Sequence, residues 1–424
     1  MTEDAIDIEW FCGFDWASQT HVVCLMDRNG RTIGERGVAH GGAELTEFCD
    51  WLVAQTGAPR ARIGVAIETP HGPIVEMLLE RGFAVFAINP KQLDRFRDRF
   101  TVAGAKDDRR DAQTLGDSLR TDRRAFRLLA VDDPTVIELR EWSRIAEDLA
   151  QERTRLANRI GQQWGRYYPQ MLQLADDLAA ENFLALWECA PTPARAAQID
   201  EAAVAKVLKA HRVRRIGAAE ALRLLRQKPL LTAAGVTEAA VAHIKIAAER
   251  ARLVNRQLKD AHQKLDALCD RLERPMSGET ENEPGQRSEQ SDVTILRSLP
   301  GVGRTNLAVL LVAAPEPLRR RDYQVLRVLS GVAPVTRRSG KTRLVTRRMA
   351  CNERLREAVD HWARVAMQTD PKCKERYAAL RRRGHTHGRA LRTLGDRLLA
   401  TACAMLKSQT LFDPERNTPQ PASA

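Results

Sequence analysis

The chain has 424 residues, 43 % of them hydrophobic, and a formal net charge of +12. That length exceeds one ordinary domain and that apolar share can bury sizeable cores, so two or three domains are expected. No uninterrupted apolar run approaches bilayer length, and the acidic start Met1-Thr2-Glu3-Asp4 lacks the basic-then-apolar order of a signal peptide, which predicts a soluble cytoplasmic protein with no membrane partner.

The first 125 residues alternate strands and helices. Trp10 to Asp15 is a short apolar run ending in a carboxylate. His21 to Asp27 is a second strand, Arg28-Asn29-Gly30 a hairpin turn, and Arg31 to Arg36 a third strand pairing back. Leu45, Phe48, Cys49 and Leu52 recur at helical spacing after Gly41-Gly42. Ile63 to Ile67 is a fourth strand leading into Glu68. Ile74 to Leu79 fits a helix, Ala84 to Ile88 a fifth strand, Lys91 to Phe100 a helix after Asn89-Pro90, and another helix begins near Asp108. A hairpin meander feeding βαβ crossovers gives a mixed sheet with helices on its faces. An RNase H-type (RuvC-like) domain over 8–130 is one of several α/β folds with that order.

From 131 to 276 the sequence turns charged and rich in Ala, Leu and Arg. Val136 to Leu156 and Glu238 to Leu272 predict long, coiled-coil-like paired helices, a connector or dimerisation arm, with prolines punctuating the stretch between. Residues 277–292 are polar and acidic and read as a flexible linker. A basic, mainly α domain follows at 293–410, then a tail at 411–424 read as disordered. Between Ser291 and Ala390, 22 Lys and Arg face 8 Asp and Glu, the footprint of a polyanion partner such as nucleic acid. The eight cysteines form no Cys-x-x-Cys pair, which argues against a zinc knuckle or a disulfide framework.

Asp15 and Glu68 end strands that a mixed sheet can make neighbours. Asp108 and Asp111 stand one helical turn apart. Clustered carboxylates repel unless cations sit between them, and hard Mg²⁺ ions about 4 Å apart suit phosphodiester chemistry. Taken singly, Asp15 and Glu68 also read as loop carboxylates. Asp108 and Asp111, beside Arg109 and Arg110, also read as a salt-bridged helix start.

In the basic domain, Pro300-Gly301-Val302-Gly303 between two apolar stretches is a helix-hairpin-helix-like signature. Its glycines, with Arg304, can bring backbone N–H groups to a phosphate. Ser339 lies in Arg337-Arg338-Ser339-Gly340-Lys341-Thr342-Arg343, and a serine nucleophile needs neutralised phosphate charge and a proton acceptor. Read on its own, that tract is an exposed basic turn. Ser330, at the end of an apolar helical stretch, reads as a helix terminator. Arg347-Arg348 and Arg381-Arg382-Arg383 read as backbone clamps or as a solvated face.

Several of these elements together resemble the IS110 family of insertion-sequence transposases. They are Gly13-Phe14-Asp15-Trp16-Ala17-Ser18, Ala66-Ile67-Glu68-Thr69, Ile88-Asn89-Pro90, the run from Lys106 to Ala112, Leu299-Pro300-Gly301-Val302-Gly303, Leu329-Ser330-Gly331-Val332-Ala333-Pro334 and Arg338-Ser339-Gly340-Lys341. The likeness covers roughly 8–165 and 291–385. It implies a DEDD site of Asp15, Glu68, Asp108 and Asp111 holding Mg²⁺ or Mn²⁺, with Ser339 as a covalent nucleophile. It also implies double-stranded DNA as substrate, a structured guide RNA, and a homo-oligomer (dimer or tetramer) in which one subunit's serine completes another's acidic site. Asp108 rather than Asp107 is assigned because it stands three residues before Asp111-Ala112. Gly301, Gly303, Arg304, Arg337, Arg338, Lys341, Arg343, Arg347 and Arg348 are the expected nucleic-acid contacts. The alternative is a RuvC-like nuclease or junction resolvase without a covalent intermediate.

Overall fold

A computed structural model describes residues 7–99, 107–130, 133–273, 291–340 and 342–414. Lys106, Lys341, most of the acidic segment at 277–292 and the tail from 415 lie outside the described residues. The chain divides into two compact units, Met1–Asp133 and Pro134–Ala424.

The first unit is a six-stranded mixed sheet with helices on both faces. Its strands are β1 (Trp10–Asp15), β2 (Thr20–Met26), β3 (Thr32–Ala39), β4 (Ile63–Ile67), β5 (Ala84–Ala87) and β6 (Arg127–Leu128), in the order β3-β2-β1-β4-β5-β6. β1, β2 and β3 form the antiparallel meander, and β4 and β5 join parallel to β1. The two-residue β6 closes the edge antiparallel to β5 and has no counterpart in the sequence reading. β3 runs to Ala39, three residues beyond the expected end, because its outer positions keep pairing with β2.

The helices are α1 (Gly42–Thr56), α2 (Pro73–Glu80), α3 (Pro90–Arg97) and α4 (Asp108–Thr121). Alternation along β1 sorts them onto the two faces. Cys12 and Phe14 point into a core with Phe48 and Leu52 of α1 and Ile74 and Leu78 of α2. Phe11 points the other way, into a core with Leu93 of α3 and Leu115 and Leu119 of α4. Each fully buried Phe or Leu contributes about 1.5–3 kcal/mol of transfer free energy, so β1 is gripped from both sides.

The second unit is built on two long helices, α5 (Pro134–Tyr167) and α11 (Val236–Glu273), which pack along each other. Between them lie α6 (Gln170–Leu174), α7 (Glu181–Cys189), α8 (Pro193–Gln198), α9 (Glu201–Ala210) and α10 (Ala218–Leu225). These short helices enclose a core around Trp164, Tyr167, Tyr168 and Trp187. Trp187 Nε1 donates to Tyr167 Oη at 2.8 Å, and that hydroxyl donates to the Pro191 carbonyl at 2.8 Å. The stretch read from its prolines as punctuation is therefore folded.

The C-terminal part comprises α12 (Asp292–Arg297), α13 (Arg304–Ala313), α14 (Pro315–Arg319), α15 (Tyr323–Leu329), strands β7 (Val335–Ser339) and β8 (Thr342–Thr346), then α16 (Glu353–Thr369), α17 (Pro371–Arg382) and α18 (His387–Ser408). Its core takes in Leu139 and Ala146 of α5 and Ala261 and Leu265 of α11, so the long helices run into the same packing as α12–α18. Among the described residues, no helix is long and apolar enough to cross a membrane.

Candidate active site

The four carboxylates read from the sequence lie at one end of the sheet's two central strands, the other three within electrostatic reach of Asp15. Asp15 is the last residue of β1, and Glu68 follows the last residue of β4, the parallel neighbour of β1. Asp108 and Asp111 sit in the first turn of α4. What seats α4 there is Gly13. A Cβ at this position would lie 1.8 Å from the Ala112 carbonyl oxygen and 2.6 Å from the Gly116 nitrogen. The strand and the helix thus touch backbone to backbone, and Asp111, one residue before Ala112, is carried against the end of β1. Asp107 caps α4, its side chain accepting from the Arg109 N–H at 3.3 Å, which separates it from the pair that follows.

The carboxylates feel one another. Asp15 is pushed from its usual 3.8 up to about 7, first by burial and then by the charges of Asp111, Asp108 and Glu68. A carboxyl that titrates near neutrality holds or releases a proton readily at working pH. Asp111 is only 3 % exposed, and a buried carboxylate needs a partner. Arg97, on the last turn of α3, supplies it. Its Nε lies 2.6 Å from Asp111 Oδ1, and its Nη2 lies 2.9 Å from Asp111 Oδ2 and 3.6 Å from Glu68 Oε1. Sequence reasoning missed Arg97, because its partner is fourteen positions away in a different helix.

Ser339 has a different setting. It ends β7, which pairs with β8 in the register Val335↔Thr346, Arg337↔Leu344, Arg338↔Arg343 and Ser339↔Thr342. The tract read as a basic turn is a two-stranded ribbon, with Gly340 (φ 56°) just after β7 where the chain turns back, a left-handed conformation that glycine permits. Alternation along the ribbon places Arg337 and Thr342 on the face of Ser339, and Arg338 and Arg343 on the opposite face. Nearly the whole ribbon is exposed, including Leu344 at 54 % and Val345 at 53 %. Ser330 is fully buried, with its hydroxyl near the Arg327 carbonyl of its own helix, which is the terminator reading made from the sequence.

Two family models match this chain: the DEDD transposase model of IS110 elements over residues 12–169 and the transposase model of the IS116/IS110/IS902 family over residues 293–378. The IS117 mini-circle protein of Streptomyces coelicolor is 32 % identical, across 98 % of both chains. The chain belongs to the IS110 family of transposases. The y4uE protein of Sinorhizobium fredii is 61 % identical over 49 % of this chain and 58 % of its own length. Both relatives are named as putative transposases. The IS116 protein of Streptomyces clavuligerus is 24 % identical, across 95 % of this chain and 96 % of its own.

The IS110 family suggests a divalent metal. The donor set at the end of β1 and β4 fits one in chemistry, since it offers only carboxylate oxygens and an excess of negative charge. Among the described residues, no three side chains stand close enough to hold an ion as they are placed, and Arg97 takes up both oxygens of Asp111. Another feature of this transposase fixes the chain just beyond Asp15. His21 is fully buried. Its Nδ1 accepts from the Ala17 N–H at 3.1 Å, so Nε2 carries the proton and donates to His40 Nδ1 at 3.0 Å. Burial, and then His40, lower its pKa to about 4, so the ring stays neutral and pins the loop after β1.

The remaining sequence-chosen residues of the transposase have varied surroundings. Gly301 has φ 77° and lies against α16, where a Cβ would come 2.5 Å from the Ala366 nitrogen. Its freedom serves packing inside the protein. Gly303 precedes α13 with open space around it. Arg304 pairs with Asp266 of α11 at 2.8 Å, and Arg348 donates to the Ala333 carbonyl at 3.3 Å. Arg347 is exposed and contributes, after burial, to lowering the pKa of Arg392, a cation facing another cation.

Proposed function

We propose that this transposase cleaves and rejoins double-stranded DNA at the ends of an insertion sequence, with Asp15, Glu68, Asp108 and Asp111 as a Mg²⁺ or Mn²⁺ site and Ser339 as the nucleophile. The observation that supports the reading is that four carboxylates, at the ends of β1 and β4 and on the first turn of α4, lie at one end of the sheet's central strands, where the other three raise the pKa of Asp15. Bound there, divalent cations would neutralise charge on the phosphodiester and its leaving oxygen.

This chain's own groups supply the rest. Ser339 Oγ forms a bond to phosphorus as the phosphorus–oxygen bond to one sugar breaks, which leaves the strand joined to the protein. The serine proton passes to solvent or to a carboxylate of the site, and the freed sugar oxygen takes up a proton. Arg337 shares the face of Ser339 and screens the phosphate, while Arg338 and Arg343 grip the backbone from the other face of the ribbon. The acidic site of one subunit is completed by the serine ribbon of a second copy in a homo-oligomer. A structured guide RNA pairs with the DNA, and the basic surplus between Ser291 and Ala390 suits both polyanions.

A denaturing gel tests the serine step. The wild-type chain with labelled element-end DNA is expected to give a covalent protein–DNA adduct that maps to Ser339. Ser339→Ala is expected to lose the adduct and all rejoined product, with an unchanged melting temperature because the ribbon is exposed. Cleavage that persists in Ser339→Ala would instead point to a hydrolytic nuclease.

A further inference from the structure

The cation now seated at the acidic site belongs to the chain itself. Arg97 sets its Nε and Nη2 on the two oxygens of Asp111 and reaches Glu68 with the same Nη2. Its Nη1 is paired to Asp94, one turn back on α3. Asp94 is largely exposed, while Asp111 is almost wholly buried. Arg97 therefore spans from the solvent edge of α3 to the interior of the site.

That span has a physical purpose. A buried carboxylate such as Asp111 left without a partner is strongly destabilising, and the charges of Glu68 and Asp108 close by add to the cost. A bidentate guanidinium fork is the strongest neutralising contact a side chain can offer a carboxylate. Asp111 and Glu68 would hold a divalent ion through the carboxylate oxygens that Arg97 now pairs with, which would bring it beside the guanidinium as it now lies. Two cations that close repel strongly in a partly buried site, so one of them must leave.

We propose that Arg97 is a built-in counter-cation that holds Asp111 and Glu68 in the metal-free transposase and yields them when a divalent ion arrives, staying paired to Asp94. Arg97 is in this sense a positioning residue that keeps the carboxylates together and sets the threshold for metal loading. The inference rests on the metal reading above.

Mn²⁺ titration of the full chain, followed by electron paramagnetic resonance without DNA, tests it. Removing the competitor in Arg97→Gln is expected to tighten Mn²⁺ binding on the order of tenfold, and to lower the melting temperature in EDTA while leaving the Mn²⁺-loaded form close to wild type. Arg97→Lys keeps a charge but loses the fork, and is expected to tighten Mn²⁺ binding by a smaller factor with little loss of stability. Unchanged or weaker Mn²⁺ binding in both variants, with wild-type binding intact, would overturn the inference alone. A wild-type chain that binds no Mn²⁺ would overturn the metal reading and this inference with it.

Discussion

Asp15→Asn is expected to cut strand cleavage by at least about 10²–10³-fold and, at the same time, to make the metal-free protein more stable at pH 8. The two effects have one cause. Asp15 has a pKa raised from 3.8 to about 7 by burial and by Asp111, Asp108 and Glu68. In the unfolded chain it ionises at its ordinary value. Below about pH 4 both states hold the proton and the group has no effect on stability. As pH rises from about 4 to about 7 the unfolded state sheds its proton first, so the folded state loses stability across that window. Above pH 7 the full cost remains, on the order of 1–2 kcal/mol once solvent screening at a part-exposed site is allowed for. Asparagine keeps the shape and removes the charge. Melting curves in EDTA should show the variant a few degrees above wild type at pH 8, with the gap closing toward pH 4. A variant that melts lower than wild type at pH 8 would mean that the carboxylates do not repel one another as described.

The parts of this site legible in the sequence are those fixed by short spacing. Asp15 closes an apolar run, Glu68 follows another, and the three-residue interval from Asp108 to Asp111 puts both on one side of a helix. The cap at Asp107, seen only in the structure, is equally local. The strand meander and its crossovers were readable because alternation and turn residues act over a few positions. What stayed hidden depends on long-range approach. Nothing near Gly13 announces that the backbone of Ala112 will rest on it, and nothing near Arg97 announces Asp111. The helices between α5 and α11 were obscured because Trp164, Tyr167, Tyr168 and Trp187 are spread along the chain and become a core only when folded. The ribbon was a different kind of miss. Val335, Thr336, Thr342, Val345 and Thr346 flank Gly340-Lys341 with β-branched residues, a hairpin signal masked by the arginines interleaved with them. Recognising it separates Arg337, on the face of Ser339, from Arg338 and Arg343.

Gly13→Ala is expected to be among the most damaging single-methyl changes in the first unit, costing about 3 kcal/mol or more and removing activity. The added Cβ would meet the Ala112 carbonyl oxygen at 1.8 Å and the Gly116 nitrogen at 2.6 Å. Both are backbone atoms, so no rotamer change relieves the clash and α4 must shift bodily. Gly13 does not have a positive φ, so the cost is steric rather than conformational. Because α4 carries Asp108 and Asp111, a shift large enough to admit the methyl also draws those carboxylates from Asp15. Gly116→Ala tests the same contact from the helix side. There the nearest atom to a new Cβ is the Gly13 nitrogen at 3.2 Å, a tight but tolerable distance, and replacing a mid-helix glycine by alanine returns up to about 1 kcal/mol of helix propensity. Gly116→Ala is therefore expected to melt within a few degrees of wild type, while Gly13→Ala falls by about 10 °C or more. Equal melting temperatures for the two variants would show that α4 does not rest on β1 through Gly13, and the placement of Asp111 beside Asp15 would lose its structural basis.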